Sequence, residues 1–169
     1  SLVASILAAI AFATGWFWSG LVCAWVMALL DTIDGKLARV TATSSKWGNV
    51  FDHGIDLIAP PVWWLAWWLG LEAGMPGASV TVLAWVLGGH IAGKLVEQAF
   101  ISTFGLKIHV WEKFDSTFRL ITARRNPNVV ILTVGLLLAG PGIAYLALLA
   151  WIWLRLAIHV FRYVQALFE

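Results

Sequence analysis

Long apolar runs separated by short polar or glycine-rich breaks set the pattern of this chain. Residues 2–14 form the first run and residues 21–40 the second, which turns polar only near its end. Between them, residues 15–20, with Trp16 and Trp18, read as a turn at a membrane interface. A polar connector at 41–45 precedes a third run, 46–71, where Pro60 and Pro61 remove backbone donors and predict a kink. A loop at 70–77 leads to a fourth run at 79–104. Residues 106–128 are the most polar stretch, and their middle, 111–125, predicts an amphipathic helix lying on a membrane surface and ended by Pro127. The fifth and sixth runs, 129–138 and 143–161, flank Ala139-Gly140-Pro141-Gly142. Such runs suit helices crossing about 30 Å of hydrocarbon, and no alternating strand pattern competes with them. The pattern predicts an all-α integral membrane protein, a bundle of six transmembrane helices.

Composition agrees, since 61% of residues are hydrophobic, 12% are charged and twelve are tryptophan. A formal net charge of +2 gives no reason to expect a nucleic-acid partner. The basic residues instead carry topology. The breaks at 15–20, 70–78 and 139–142 contain no Lys or Arg. Lys36, Arg39 and Lys46 flank one of the other connections; Lys107, Lys113, Arg119, Arg124 and Arg125 fill the next, and Arg155 and Arg162 lie toward the C-terminus. The positive-inside rule puts those connections and both ends in the cytoplasm. Cys23 is the sole cysteine, which excludes an intrachain disulfide and a cysteine-based metal site. No signal peptide is evident, and the abrupt apolar start leads to an expectation that residues precede Ser1.

Two groups of residues inside the apolar runs have structural readings. Trp63, Trp64, Trp67 and Trp68 are expected to form an interfacial aromatic belt rather than a cofactor box. In the fourth run, Lys94 is either neutralised locally, by Glu97 at i,i+3 or Gln98 at i,i+4, or these residues line a polar wall of a substrate cavity. His90 reads as a packed or hydrogen-bonded residue.

The acids are different. Asp31, Asp34, Asp52 and Asp56 make up four of the nine acidic residues and fall within 26 positions of otherwise lipid-compatible sequence. An ionised carboxylate there costs at least about 2.5 kcal/mol without a partner, and Lys36 and Arg39 cannot balance four of them. A divalent cation such as Mg2+ can, because it takes carboxylate oxygens and bridges to phosphates. Asp31 and Asp34 are i,i+3 and Asp52 and Asp56 i,i+4, so each pair lies on one helix face. Gly35, Ala38 and Gly48 share those faces and would admit a close backbone or a nucleotide. The alternative, a solvated acidic helix end, suits one Asp-x-x-Asp but not the whole constellation.

The pattern Asp31-x2-Asp34-Gly35-x2-Ala38-Arg39-x8-Gly48-x3-Asp52-x3-Asp56 resembles the complete signature of the CDP-alcohol phosphotransferases, with eight fixed positions at fixed gaps. Asp34-Gly35-Lys36, Thr43-Ser44-Ser45 and Phe51-Asp52-His53-Gly54 also resemble the choline and ethanolamine branch of that family. The resemblance implies a single transmembrane domain over 1–169 that moves a phospho-alcohol group from a CDP-alcohol donor to an alcohol acceptor and releases CMP, in phospholipid biosynthesis. It implies two divalent cations, Mg2+ or Mn2+, with Asp31, Asp34 and Asp52 as principal ligands. Asp56 would be a ligand to the second metal and the catalytic general base. Arg39 would bind donor phosphate, and Gly35, Ala38 and Gly48 would make room for cytidine and ribose. A membrane lipid environment, a site opening to the cytoplasm and a homodimer are further expectations. Arg119, Arg124 and Arg125 are candidates for a second anion site, set against plain positive-inside bias.

Two other functions compete. An intramembrane Mg-dependent prenyltransferase also uses Asp-rich helices, but is expected to carry two separate motifs in distant helices. A cation transporter should spread its acids along the membrane depth.

Overall fold

The computed structural model describes the backbone of residues 2–40, 46–74, 79–122 and 125–168, and the side chains of 2–33, 54, 57–72, 79–118 and 127–168. Among these residues the structure is helical throughout, in seven α-helices and one 3₁₀ turn: α1 (Leu2–Ala13), α2 (Phe17–Val40), α3 (Lys46–Gly74), α4 (Val80–Phe104), the turn Ile108–Val110, α5 (Lys113–Thr122), α6 (Arg125–Ala139) and α7 (Pro141–Phe168). The chain divides into two compact units, Ser1–Ala78 and Ser79–Glu169. Among the described residues, two helices, α4 and α7, are long and apolar enough to cross a membrane. Their outward positions, including Ile91, Leu95, Leu154 and Phe161, are exposed and apolar, which suits lipid rather than water.

In the first unit α1 packs against both α2 and α3. The reversal after α1 takes only three residues, Thr14, Gly15 and Trp16. Gly15 adopts φ +79°, its N–H donates to the Phe12 carbonyl, and the Trp16 N–H donates to the Ala11 carbonyl, which closes the carbonyl end of α1. Helix α2 therefore starts at Phe17, four residues before the expected boundary, and the predicted turn at 15–20 shrinks to its first part. Phe12 is the centre of the core, with ring centroids 6.3 Å from Trp63 and 5.0 Å from Trp67; Phe17 lies 4.7 Å from Trp67. Trp63, Trp64, Trp67 and Trp68 are all buried, and Trp63 donates its indole N–H to the Ser5 carbonyl at 3.0 Å. The expected interfacial belt is thus a packed helix face, because i, i+1, i+4, i+5 spacing turns all four rings to one side. Pro60 and Pro61 lie within α3, which continues past them.

Gly70 marks the closest approach of α3 to the end of α1. A methyl group there would fall on the Phe12 carbonyl oxygen and press on the Gly15 backbone. Gly70→Ala is expected to destabilise the protein by about 1–3 kcal/mol, as overpacking a tight helix contact does. Gly88→Ala, at a helical position with open space around it, should be neutral or slightly stabilising. Thermal unfolding of both variants in detergent measures the contrast.

In the second unit α7 packs against α4 and α6. Its buried positions, Ala144, Tyr145, Leu148, Ile152, Leu156, His159, Arg162 and Ala166, form one stripe of helical period. Gly89 lets α4 approach Ile152 and Trp153, and Trp153 donates to the Trp85 carbonyl at 3.2 Å. Ser79 caps α4 by accepting from the Thr81 N–H, and Gly105 (φ +69°) ends it. Within 111–125, where an amphipathic helix is expected, the structure has the shorter α5. Pro127 does not end it. It sits in the first turn of α6, where a missing N–H breaks no helical bond, so the fifth run begins at Arg125 rather than at 129. The sixth also outruns its expected 143–161, starting at Pro141 and ending at Phe168.

Candidate functional site

Each acidic pair lies on a single helix. Asp31 and Asp34 are in the C-terminal part of α2, and Asp52 and Asp56 in the N-terminal half of α3. Gly35, Ala38 and Arg39 continue α2, and Gly48 lies in the first turn of α3. Helical geometry therefore holds at every signature position, and with it the i,i+3 and i,i+4 spacing within each pair. Asp31 is half-buried, beside Thr32, whose hydroxyl donates to the Ala28 carbonyl at 3.0 Å. The side chains of Asp34, Ala38, Arg39, Asp52 and Asp56, and the surroundings of Gly35 and Gly48, lie outside the described residues. Among the described residues there is no cluster of three or more His, Cys, Asp or Glu side chains suited to a metal. The donor chemistry of the four signature carboxylates fits a hard divalent cation.

The second unit holds a polar stripe that the sequence reading only half located. On α4, Lys94 and Glu97 pair at 2.9 Å, the mutual neutralisation that their spacing offered. Glu97 also lies 3.7 Å from Nδ1 of His159, which is buried on α7. Arg155 packs over Gly93, whose missing side chain leaves room for the guanidinium, and its Nε and Nη2 are buried with no hydrogen-bond partner among the described residues. His90 is buried on the same side of α4, consistent with a packed histidine.

One turn beyond His159 on α7, Arg162 holds the segment that leads into α5. Its Nε donates to Oδ1 of Asp115 at 2.9 Å and its Nη2 to Oδ2 at 2.7 Å. The same Nη2 reaches Glu112, Nη1 donates to Gln165 at 2.6 Å, and the guanidinium lies 4.4 Å from the Trp111 ring centroid. Beside it, Phe100, Ile108 and Ala166 form a buried cluster with Phe104, Trp111 and Tyr163. Positive-inside bias had accounted for Arg155 and Arg162. The signal that separates them from surface charges is their spacing with His159, at i, i+4 and i+7, which puts the half-buried Arg155 on the same side of α7 as the buried His159 and Arg162.

The comparisons with known proteins agree with the signature on α2 and α3. The family model described as CDP-alcohol phosphatidyltransferase matches residues 1–161, and the chain belongs to that family. Cholinephosphotransferase 1 of Xenopus laevis is 52% identical over 46 residues, 25% of this chain. The matched stretch spans only 11% of that relative's length. No solved structure matches.

Proposed function

We propose that the protein transfers a phospho-alcohol group from a CDP-alcohol to an acceptor hydroxyl and releases CMP, in phospholipid biosynthesis. The observation that carries this reading is the pairing of Asp31 with Asp34 on α2 and of Asp52 with Asp56 on α3, in a chain matched by the family model over residues 1–161. Arg39 would hold donor phosphate through its planar fork, and Gly35, Ala38 and Gly48 would leave space for the nucleotide. Asp31, Asp34 and Asp52, with Asp56, would hold two divalent cations, Mg2+ or Mn2+. When bound, these neutralise charge on the transferring phosphoryl group and on the leaving group.

The reaction then needs one proton removed. The acceptor oxygen bonds to the phosphorus that bears the donor alcohol, and the bridging P–O bond breaks with its electron pair passing to CMP. The acceptor proton passes to the Asp56 carboxylate. Six membrane spans, with the acids opening to the cytoplasm, would put this chemistry where soluble CDP-linked donors are made. A homodimer belongs to the same proposal.

The cholinephosphotransferase likeness favours a donor of the CDP-choline or CDP-ethanolamine type with a lipid acceptor. Labelled CDP-choline, CDP-ethanolamine and CDP-diacylglycerol, each offered with diacylglycerol and with phosphorylated polyol acceptors, test it. Metal-dependent CMP release in detergent with one donor supports the transferase. Release of pyrophosphate from a prenyl diphosphate would replace it with the prenyltransferase reading, and cation flux without CMP would replace it with a transporter.

A further inference from the structure

The segment from Gly105 to Phe118 sorts its charges. Both of its acids meet Arg162 of α7: the buried Asp115 in paired bonds at 2.9 and 2.7 Å, and Glu112 through Nη2. Its two lysines, Lys107 and Lys113, are exposed. The paired bonds from a planar fork fix the orientation of Asp115, and Ser116 adds a bond to the His109 carbonyl at 3.1 Å, so the segment presents one constant side to its surroundings. Apolar side chains are exposed along with the lysines. Val110 is 63% exposed and Phe114 53%, and Phe114 stacks on Phe118 at 5.6 Å, one turn along α5. Exposed apolar side chains among lysines suit the headgroup layer of a bilayer, where the apolar body faces the acyl chains and the ammonium meets negative charge.

Chain continuity puts this surface at a membrane boundary. Helix α4 is long and apolar enough to cross, it ends at Gly105 (φ +69°), and the segment starts there. Phe104, Trp111 and Tyr163 pack at the same end against the buried Phe100, and the Tyr163 and Thr103 hydroxyls share a hydrogen bond at 3.1 Å. Aromatic bodies with polar tips are favoured where lipid meets water. We propose that residues 106–118 form a docking surface for anionic membrane lipid, with Val110 and Phe114 entering the headgroup boundary and Lys107 and Lys113 meeting negatively charged headgroups. Arg162 makes the surface selective, because Glu112 and Asp115 without it would repel the lipid that the lysines attract. Every residue involved belongs to the second compact unit, so the surface stands whichever reaction the protein catalyses.

The test uses the full-length protein in phosphatidylcholine nanodiscs, with a fluorophore on Val110→Cys in a Cys23→Ser background. Cys23 is the sole natural cysteine, so the label is unique. Quenching by phosphatidylserine or phosphatidylcholine spin-labelled along the acyl chain reports which lipid touches the label, and iodide reports water. Phosphatidylserine is expected to be preferred about fivefold, the effect of one basic residue near an anionic surface, and the preference should shrink as salt rises. Lys107→Gln with Lys113→Gln should abolish it; both side chains are exposed, so the change removes charge without opening the core. A label on Leu154→Cys, exposed on α7, should show no preference. A Val110 label reached by iodide and by neither lipid would overturn the docking surface. Equal quenching by the two lipids, or a preference that survives loss of both lysines, would overturn its selectivity for anionic lipid. Crosslinking between two Val110→Cys copies in place of lipid contact would assign the surface to a second copy of the chain and overturn the proposal.

Discussion

Stripping divalent metal from the purified protein is expected to lower CMP release at least about 100-fold, and adding back Mg2+ or Mn2+ to restore it. The magnitude follows from the role proposed for the cations, which supply several kcal/mol of charge stabilisation to a phosphoryl transfer, with each 1.4 kcal/mol equal to a factor of ten. The sequence gives a second reason to expect a large effect. Four carboxylates gathered at the proposed site would repel one another, and two neighbouring basic residues could not offset them. The cation is therefore expected to support the local arrangement of α2 and α3 as well as the chemistry. Chelation followed by metal titration, read by CMP release and by the thermal midpoint, separates the two contributions. Full activity after thorough chelation would remove the metal from the mechanism.

Much of the helical order could be read from the spacing of apolar runs, because a helix that buries one face and offers the other to lipid has few polar positions to confuse its boundaries. The run at 79–104 is matched by α4, Val80–Phe104, with Ser79 as its cap. Boundaries failed where a local device replaced a composition signal. Gly15 reverses the chain within a three-residue connection, so residues 17–20, read as turn, begin α2. Pro127 was read as a stop but lies in a first helical turn, where proline is tolerated.

The tryptophans of α3 show a different limit. An interfacial ring and a core ring have the same composition signal, and only the partner decides; here Phe12 of α1 is that partner. For the candidate site, the signature acids were legible because ionisable groups are costly in such a sequence. The grip of Arg162 on Asp115 was not, because the two are 47 residues apart and each alone looks like an ordinary surface charge. Only packing of the 3₁₀ turn and α5 near the end of α7 brings them together.

The division of labour between Asp52 and Asp56 gives the most discriminating result. The two are about 6 Å apart along α3, one turn, so in the proposed site both would reach one cavity and should differ in distance from the carboxylates of α2. If Asp52 shares metal with Asp31, Asp52→Asn should weaken metal affinity and donor binding together, since the donor phosphates depend on that charge. Asp56→Asn should leave much of the donor binding intact and lower turnover by about 100-fold or more, the range for loss of a general base. Asn keeps the size and the helix and removes the charge and the proton acceptor, so a collapse of α3 would be seen separately in the thermal midpoint. Metal-dependent CDP-alcohol binding, measured beside single-turnover CMP release on both variants, resolves the roles. Equal loss of binding in the two would make Asp56 primarily a metal ligand and move the base to another residue. Intact binding with full turnover in Asp56→Asn would leave proton removal to solvent or to the donor phosphate itself.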